Sequence, residues 1–226
     1  MKGRSTIMKK EEVILKMKEN CLVAVVRATS KEQGEQIIDA IIDGGINFIE
    51  ITMTVPGAVD IIKAMCEKYH TNKNVVIGAG TVLDPQTARA VILAGAKFVV
   101  SPGLDIETIK LCNLYRIPMI PGILTPTEAI TALSAGCDII KVFPGNLVGP
   151  SAISSLKGPL PQGDYMPSGG VDVPNVADWL KAGACALGTG SSLTIGAKAG
   201  DFAAVTAKAK EFVNSVKTFR QSYSNL

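Results

Sequence analysis

The sequence predicts an α/β fold, a single (β/α)8 TIM barrel preceded by one additional helix, and three observations predict it. Short apolar runs alternate with helical patterns along the 226 residues, with no Gly/Ser-rich linker or low-complexity break between them. Helical stretches end at glycine and run straight into an apolar strand at Gly44-Gly45-Ile46, Gly95-Ala96, Gly136-Cys137 and Gly183-Ala184, an internal repeat of irregular period. Glycine suits these positions because helices often finish in a left-handed residue. Finally, hydrophobic residues make up 47% of the chain but aromatic ones only 5%. The core is therefore built mainly of Val, Ile, Leu and Ala, the composition of parallel strands covered on both faces.

In chain order, residues 1–8 read as a leader, with Met8 as an alternative start, and 9–226 as one domain. A helix over 9–20 is placed to cover the bottom of the barrel. Strands follow over 22–27, 46–51, 75–79, 97–100, 118–120, 138–142, 165–167 and 185–187. Helices lie between and after them, over 31–43, 58–69, 85–93, 106–115, 126–134, 150–156, 174–181 and 201–219. The first of these carries Ile37, Ile38, Ile41 and Ile42 on one face. Others begin with proline in the first turn, as at Asp84-Pro85 and Thr125-Pro126, where its missing N–H costs nothing. A doubly wound open sheet is the competing architecture, but Arg27-Ala28-Thr29-Ser30 stands where its glycine fingerprint would follow the first strand.

Composition narrows the function. With 23 basic and 20 acidic residues dispersed along the chain, the net charge is only +3. That is unlike the clustered basic stripe of a nucleic-acid-binding domain. No apolar run approaches the roughly 18 residues of a membrane helix, and the start lacks a signal-peptide apolar segment. The expectation is a soluble intracellular protein with no nucleic-acid or membrane partner. The five cysteines are odd in number and widely spread, with no metal-binding or redox spacing, and read as reduced structural thiols. One histidine, His70, rules out multi-histidine metal sites and reads as a capping or solvent-facing residue.

In a parallel barrel, catalytic groups come from the C-terminal ends of the strands. Two strands end in residues that burial should exclude: Glu50 within Phe48-Ile49-Glu50-Ile51-Thr52 and Lys141 within Ile139-Ile140-Lys141-Val142-Phe143. Desolvation disfavours an ammonium ion, and an uncharged amine attacks ketones to give an imine, an electron sink obtained without a cofactor. Glu50, on another even-numbered strand, is placed to act as acid and base for that chemistry. The competing structural reading, a buried ion pair, is expensive because desolvation largely offsets such pairs. Ser168-Gly169-Gly170-Val171 and Gly188-Thr189-Gly190-Ser191-Ser192-Leu193 follow strands seven and eight, where loops of this fold frequently bind phosphate, although tight turns need glycine too. Arg27 and Thr81 end strands one and three; together at one rim they suit a carboxylate, although a surface pair or helix cap is the commoner role for either alone. Ser101-Pro102-Gly103 and Pro121-Gly122 read as rim turns that shape the pocket.

At these residues the chain resembles the 2-keto-3-deoxy-6-phosphogluconate / 4-hydroxy-2-oxoglutarate aldolases. The most specific segments are Gly44-Gly45-Ile46-Asn47-Phe48-Ile49-Glu50-Ile51-Thr52, Gly78-Ala79-Gly80-Thr81-Val82-Leu83, Val100-Ser101-Pro102-Gly103, Pro121-Gly122-Ile123-Leu124-Thr125-Pro126-Thr127-Glu128 and Lys141-Val142-Phe143-Pro144. The resemblance implies that Lys141 forms the imine and Glu50 is the general acid/base. It further implies that Thr81 binds the pyruvyl carboxylate, Phe143 and Pro102 line the pocket, and Ser168, Gly169, Gly170, Gly190 and Ser191 bind phosphate. It also implies a cytoplasmic homotrimer that uses no metal and no cofactor. One departure stands out. Where some members carry a carboxylate-binding arginine four residues after the glutamate, this chain has Thr54, which leaves Arg27 as the candidate. The expected reaction is metal-independent Schiff-base cleavage of a 2-keto-4-hydroxy acid to pyruvate and an aldehyde. Two rivals stand beside it: a phosphate-binding-barrel isomerase or epimerase, and a non-catalytic sugar-phosphate-binding protein.

Overall fold

The glycine-ended helices share one stop signal. The chain begins with α1 (Lys10–Asn20), β1 (Leu22–Val26), α2 (Lys31–Asp43), β2 (Phe48–Thr52), α3 (Ala58–Lys68), β3 (Val76–Gly80), α4 (Pro85–Leu93), β4 (Val99–Val100) and α5 (Ile106–Leu114). It continues with β5 (Met119–Ile120), β6 (Gly122–Ile123), α6 (Pro126–Ser134), β7 (Ile140–Val142), α7 (Gly145–Val148), α8 (Ser151–Lys157), β8 (Tyr165–Pro167), α9 (Val176–Lys181), β9 (Leu187–Thr189) and α10 (Phe202–Tyr223). Past α2, α4, α6 and α9, the glycines Gly45, Gly95, Gly136 and Gly183 take φ of +95°, +109°, +87° and +98°. The next N–H, from Ile46, Ala96, Cys137 and Ala184, reaches back to Ile41, Val91, Ala132 and Trp179. This is the Schellman arrangement, which satisfies carbonyls the helix leaves open. Arg116 closes α5 in the same way at φ +58°, without glycine's freedom.

Helix starts are equally explicit. Ser30, Asp84, Asp105 and Thr125 accept the N–H of Gln33, Thr87, Thr108 and Glu128, and Thr125 with Glu128 forms a full capping box. The expected helix over 174–181 is divided into a 3-10 turn, Val173–Asn175, capped by Asp172, and α9, and Asn175 at the junction leaves helical geometry with φ −110° and ψ 3°.

This computed structural model describes residues 8–223. The expected leader lies, apart from Met8, outside them. The strands are all parallel and form a curled layer in two parts, β5-β4-β3-β2-β1-β9 and β6-β7-β8, with a bridge between Ser168 and Gly188 linking β8's end to β9. The rim turn expected at Pro121-Gly122 is instead partly strand. Pro121 separates β5, which pairs with β4, from β6, which pairs with β7. Its carbonyl still accepts the N–H of Lys141 at 2.8 Å, so the chain runs on as strand across a residue that has no N–H of its own.

Side chains alternate across the layer. Outward residues pack under the helices, with Ile37, Ile41, Ile61, Trp179 and Phe212 in one large cluster. Inward, Val23, Phe48, Val76, Phe98, Ile139, Met166 and Ala186 form a second, which α1 joins through Val13 and Met17. Phe48 and Phe98 meet at 5.8 Å between ring centroids. Two residues beyond Phe48 on the same face is Glu50, and two beyond Ile139 is Lys141. The apolar interior thus gives way to charge towards the strands' C-terminal ends.

Gly136 isolates the backbone requirement, since a Cβ there would meet only Asn113 Nδ2 at 3.5 Å. Gly136→Ala is expected to lower stability by about 1 kcal/mol, the left-handed penalty less the entropy removed from the unfolded chain. Urea denaturation checks this; an unchanged midpoint would contradict the Schellman assignment.

Candidate active site

Lys141 is held by strand pairing on both sides, to Gly122 and Met166. Glu50 is held likewise between Val25 and Gly78. Lys141 is 5% exposed and Glu50 1%, so both charges are withdrawn from water. Yet they do not complete each other. Lys141 Nζ lies 3.8 Å from Glu50 Oε1, beyond hydrogen-bond length, and Glu50 Oε2 is buried without a partner. A pair serving structure alone repays its desolvation only with close geometry and saturated bonding. Here hydrogen-bonding capacity remains on both groups. The Phe143 ring lies beneath the ammonium, 5.0 Å from Nζ to centroid.

Glycines make the room. A Cβ on Gly80 would stand 2.0 Å from Glu50 Oε1, and one on Gly122 would stand 2.2 Å from the Pro102 carbonyl oxygen. Strand three therefore has to be bare where the carboxylate crosses it.

Lys141 lines a cavity of about 330 Å³ together with Arg27, Thr81, Pro102, Phe143, Ser168, Gly169, Gly170, Gly190 and Ser191. Every binding residue expected from the sequence thus shares one cavity. Glu50 stands behind this wall and meets it through Lys141. Thr81 is at φ +56°, a strained conformation for a β-branched residue and one that costs about 1–3 kcal/mol. Gly169 and Gly170 are consecutive left-handed residues packed against Asn146. Arg27 presents the cavity's guanidinium.

Thr54 offers no substitute donor. Thr52 Oγ1 donates to the Val26 carbonyl at 3.1 Å, so in the 2.7 Å contact between the two threonine hydroxyls it is Thr54 that donates. Its single hydrogen is committed within the fold.

Val171, Gly188 and Ser192 also line the cavity, within the two loops read as phosphate-binding, whereas sequence reasoning missed Val25 and Asp172. Val25 was accessible to it, being two residues before Arg27 and so on the same face. Asp172 carried no such signal; its carboxylate accepts the Val173 N–H at 2.7 Å and stands 3.6 Å from Lys208. His70 is exposed, with Nδ1 2.7 Å from the Glu67 carbonyl, away from the cavity. The cysteines are free thiols, and burial pushes Cys21 up to about 11 and Cys112 up to about 12.

Fold and site together define an α/β protein with a curled parallel sheet and its chemistry-bearing groups at the strands' C-terminal ends. The chain belongs to the KDPG and KHG aldolase family, whose model matches residues 13–208. It is 34% identical over 202 residues to the 2-dehydro-3-deoxy-6-phosphogalactonate aldolase of Escherichia coli K12, covering 89% of this chain and 95% of that one. To the KHG/KDPG aldolase of the same organism it is 33% identical over 199 residues, covering 87% and 92%. Among solved structures it is similar to the KDPG aldolase of Legionella pneumophila with pyruvate captured as a covalent carbinolamine intermediate. There the TM-score is 0.80 at 25% identity, over 89% of this chain and 97% of that one.

Two alanine substitutions separate tight from open glycines. Gly80→Ala, forced against the Glu50 carboxylate, is expected to cost about 1–3 kcal/mol by overpacking. Gly103→Ala, with nothing within 4 Å of its Cβ, is expected to stay within about 0.5 kcal/mol of wild type. Thermal or urea unfolding checks both, and equal effects would refute the packing argument.

Proposed function

We propose that this protein is a class I, Schiff-base aldolase. It cleaves 2-keto-3-deoxy-6-phosphogluconate to pyruvate and glyceraldehyde 3-phosphate, 4-hydroxy-2-oxoglutarate to pyruvate and glyoxylate, or both. The observation that carries this reading is the incompletely bonded Lys141–Glu50 pair, 3.8 Å apart at the wall of the cavity. The uncharged Lys141 amine attacks the C2 ketone, and a proton from the Glu50 carboxyl carries off the C2 oxygen as water, leaving a protonated imine and a Glu50 carboxylate. Glu50 takes the proton of the C4 hydroxyl, directly or through one water. The electrons of the C3–C4 bond flow into the iminium, leaving an enamine and the free aldehyde. Return of the proton to C3 and hydrolysis of the imine release pyruvate and restore the amine. The iminium is the electron sink, so the cycle as written calls on no metal or redox cofactor.

In this reading Arg27 and Thr81 hold the keto-acid carboxylate, and Phe143 and Pro102 pack on the pyruvyl carbons. Ser168, Gly169, Gly170, Gly190 and Ser191 take the phosphate, for which backbone N–H groups at glycine-rich turns are suited.

We further read residues 9–226 as one domain whose two sheets are a closed eightfold barrel. β5 and β6 would count as one staggered strand, the Ser168–Gly188 bridge would be the seam, and α1 the extra N-terminal helix across the base. A homotrimer is supported by exposed apolar side chains on successive segments, Leu83, Leu93, Leu114, Leu124 and Ile130. A cytoplasmic location is supported by the five free cysteines, two of which, Cys66 and Cys185, are only partly buried. No described helix is long and apolar enough to cross a membrane.

Pyruvate release from each of the two substrates, measured with chelator present, tests the proposal. Glu50→Gln is expected to lower kcat by about 10²–10⁴, and Lys141→Met to abolish turnover. A Lys141→Met enzyme with near-wild-type turnover would favour the isomerase or epimerase, and saturable binding without product would favour the sugar-phosphate-binding protein. Sedimentation equilibrium should give the mass of three chains; a monomer at micromolar concentration would overturn the trimer.

A further inference from the structure

A second cavity, of about 610 Å³, opens on the other side of Arg27, between the start of α2 and the 3-10 turn Ile195–Ala199. It shares Val25, Arg27, Gly190 and Ser191 with the first cavity. The substrates proposed above place all their groups in the first cavity, so this space has no role in that reaction.

Its polar groups show what it suits. Thr29 donates to Gln33 Oε1 through both its N–H and its hydroxyl, at 2.8 and 2.9 Å. Gln33 Nε2 donates to the Ala197 carbonyl at 3.1 Å, and the Thr194 hydroxyl to Gly190, also at 3.1 Å. These groups tie α2 to the 190s loop and are largely committed. What remains on the wall is the Arg27 guanidinium, the Lys198 ammonium and the Ser191 hydroxyl, with Val25, Ala28, Ile37 and Ala197 supplying apolar surface. Among the described residues, neither Arg27 nor Lys198 has an ion-pair partner. Two unpaired cations and a hydroxyl, without a facing carboxylate, make a wall for an oxyanion.

We propose that this second cavity is a regulatory oxyanion site, taking a small phosphorylated or carboxylated ligand between Arg27 and Lys198. The inference rests on the reading of Arg27 as the keto-acid ligand. A guanidinium held by an anion in one cavity is lost to the carboxylate in the other, and two anions flanking it repel each other. The ligand therefore raises KM for the keto acid and leaves kcat unchanged, and by linkage the keto acid weakens the ligand.

The test uses 4-hydroxy-2-oxoglutarate, which carries no phosphate, with inorganic phosphate or acetate as probe and chloride holding ionic strength constant. Wild type is expected to show KM raised about fivefold or more at saturating probe with kcat constant. Lys198→Ala, an exposed substitution, is expected to keep the basal constants and lose that inhibition. A phosphate effect without an acetate effect assigns the site to phosphorylated ligands, and the reverse assigns it to carboxylates. Inhibition undiminished in Lys198→Ala would place the anion on the glycine loops of the first cavity and overturn the proposal, as would the absence of any effect in wild type. Equilibrium dialysis with radiolabelled phosphate reads the same site without turnover, so a failure of the aldolase reading stays distinguishable. The proposal expects weaker phosphate binding by Lys198→Ala, and equal binding would contradict it.

Discussion

The structure depends on one unfinished contact. Lys141 and Glu50 are drawn into an apolar interior where each, alone, would be costly to keep charged. They approach within ion-pair range but stop short of a hydrogen bond. A fold selected for stability alone has two cheaper solutions: saturate the pair, or replace it with packed hydrocarbon. This chain does neither, and the neighbouring strands are shaped around that choice. Gly80 leaves strand three bare beneath the carboxylate, and Gly122 lets β6 pass the Pro102 carbonyl.

Below the pair, the interior cluster headed by Phe48 and Phe98 fills the space between the strands and leaves the charged groups no retreat from the cavity. Above it, the cavity wall is made by loops whose conformations suit approach to a ligand, with consecutive left-handed glycines at Gly169-Gly170 and a strained Thr81. The threonine chain from Thr54 through Thr52 to the Val26 carbonyl fastens the end of β2 to that of β1. Thus the strand bearing Glu50 is tied directly beside the residue that precedes Arg27.

Much of this was legible in the sequence because local chemistry and tertiary role agreed. Helices α2, α4 and α6 begin and end where read, since Ser30, Asp84-Pro85 and Thr125-Pro126 mark their starts and left-handed glycines follow their ends. Lys141 and Glu50 stood out because a charge within an apolar run contradicts its surroundings. Features without a local signature were missed. β6 is hidden behind Pro121, which reads as a breaker although its carbonyl serves the ladder. α7 is a four-residue helix, too short to show a period. Gly80 gave no hint of its purpose, because the side chain it accommodates comes from another strand. Asp172 carries no local signature of its place on the cavity wall, which follows only from folding.

The central claim is that the Lys141 amine becomes covalently joined to its ketone. Borohydride reduction in the presence of pyruvate, followed by peptide mass spectrometry, tests it most directly. A stable adduct is expected on the peptide carrying Lys141, dependent on pyruvate and accompanied by loss of activity. An unmodified Lys141 in enzyme that still turns over would contradict it.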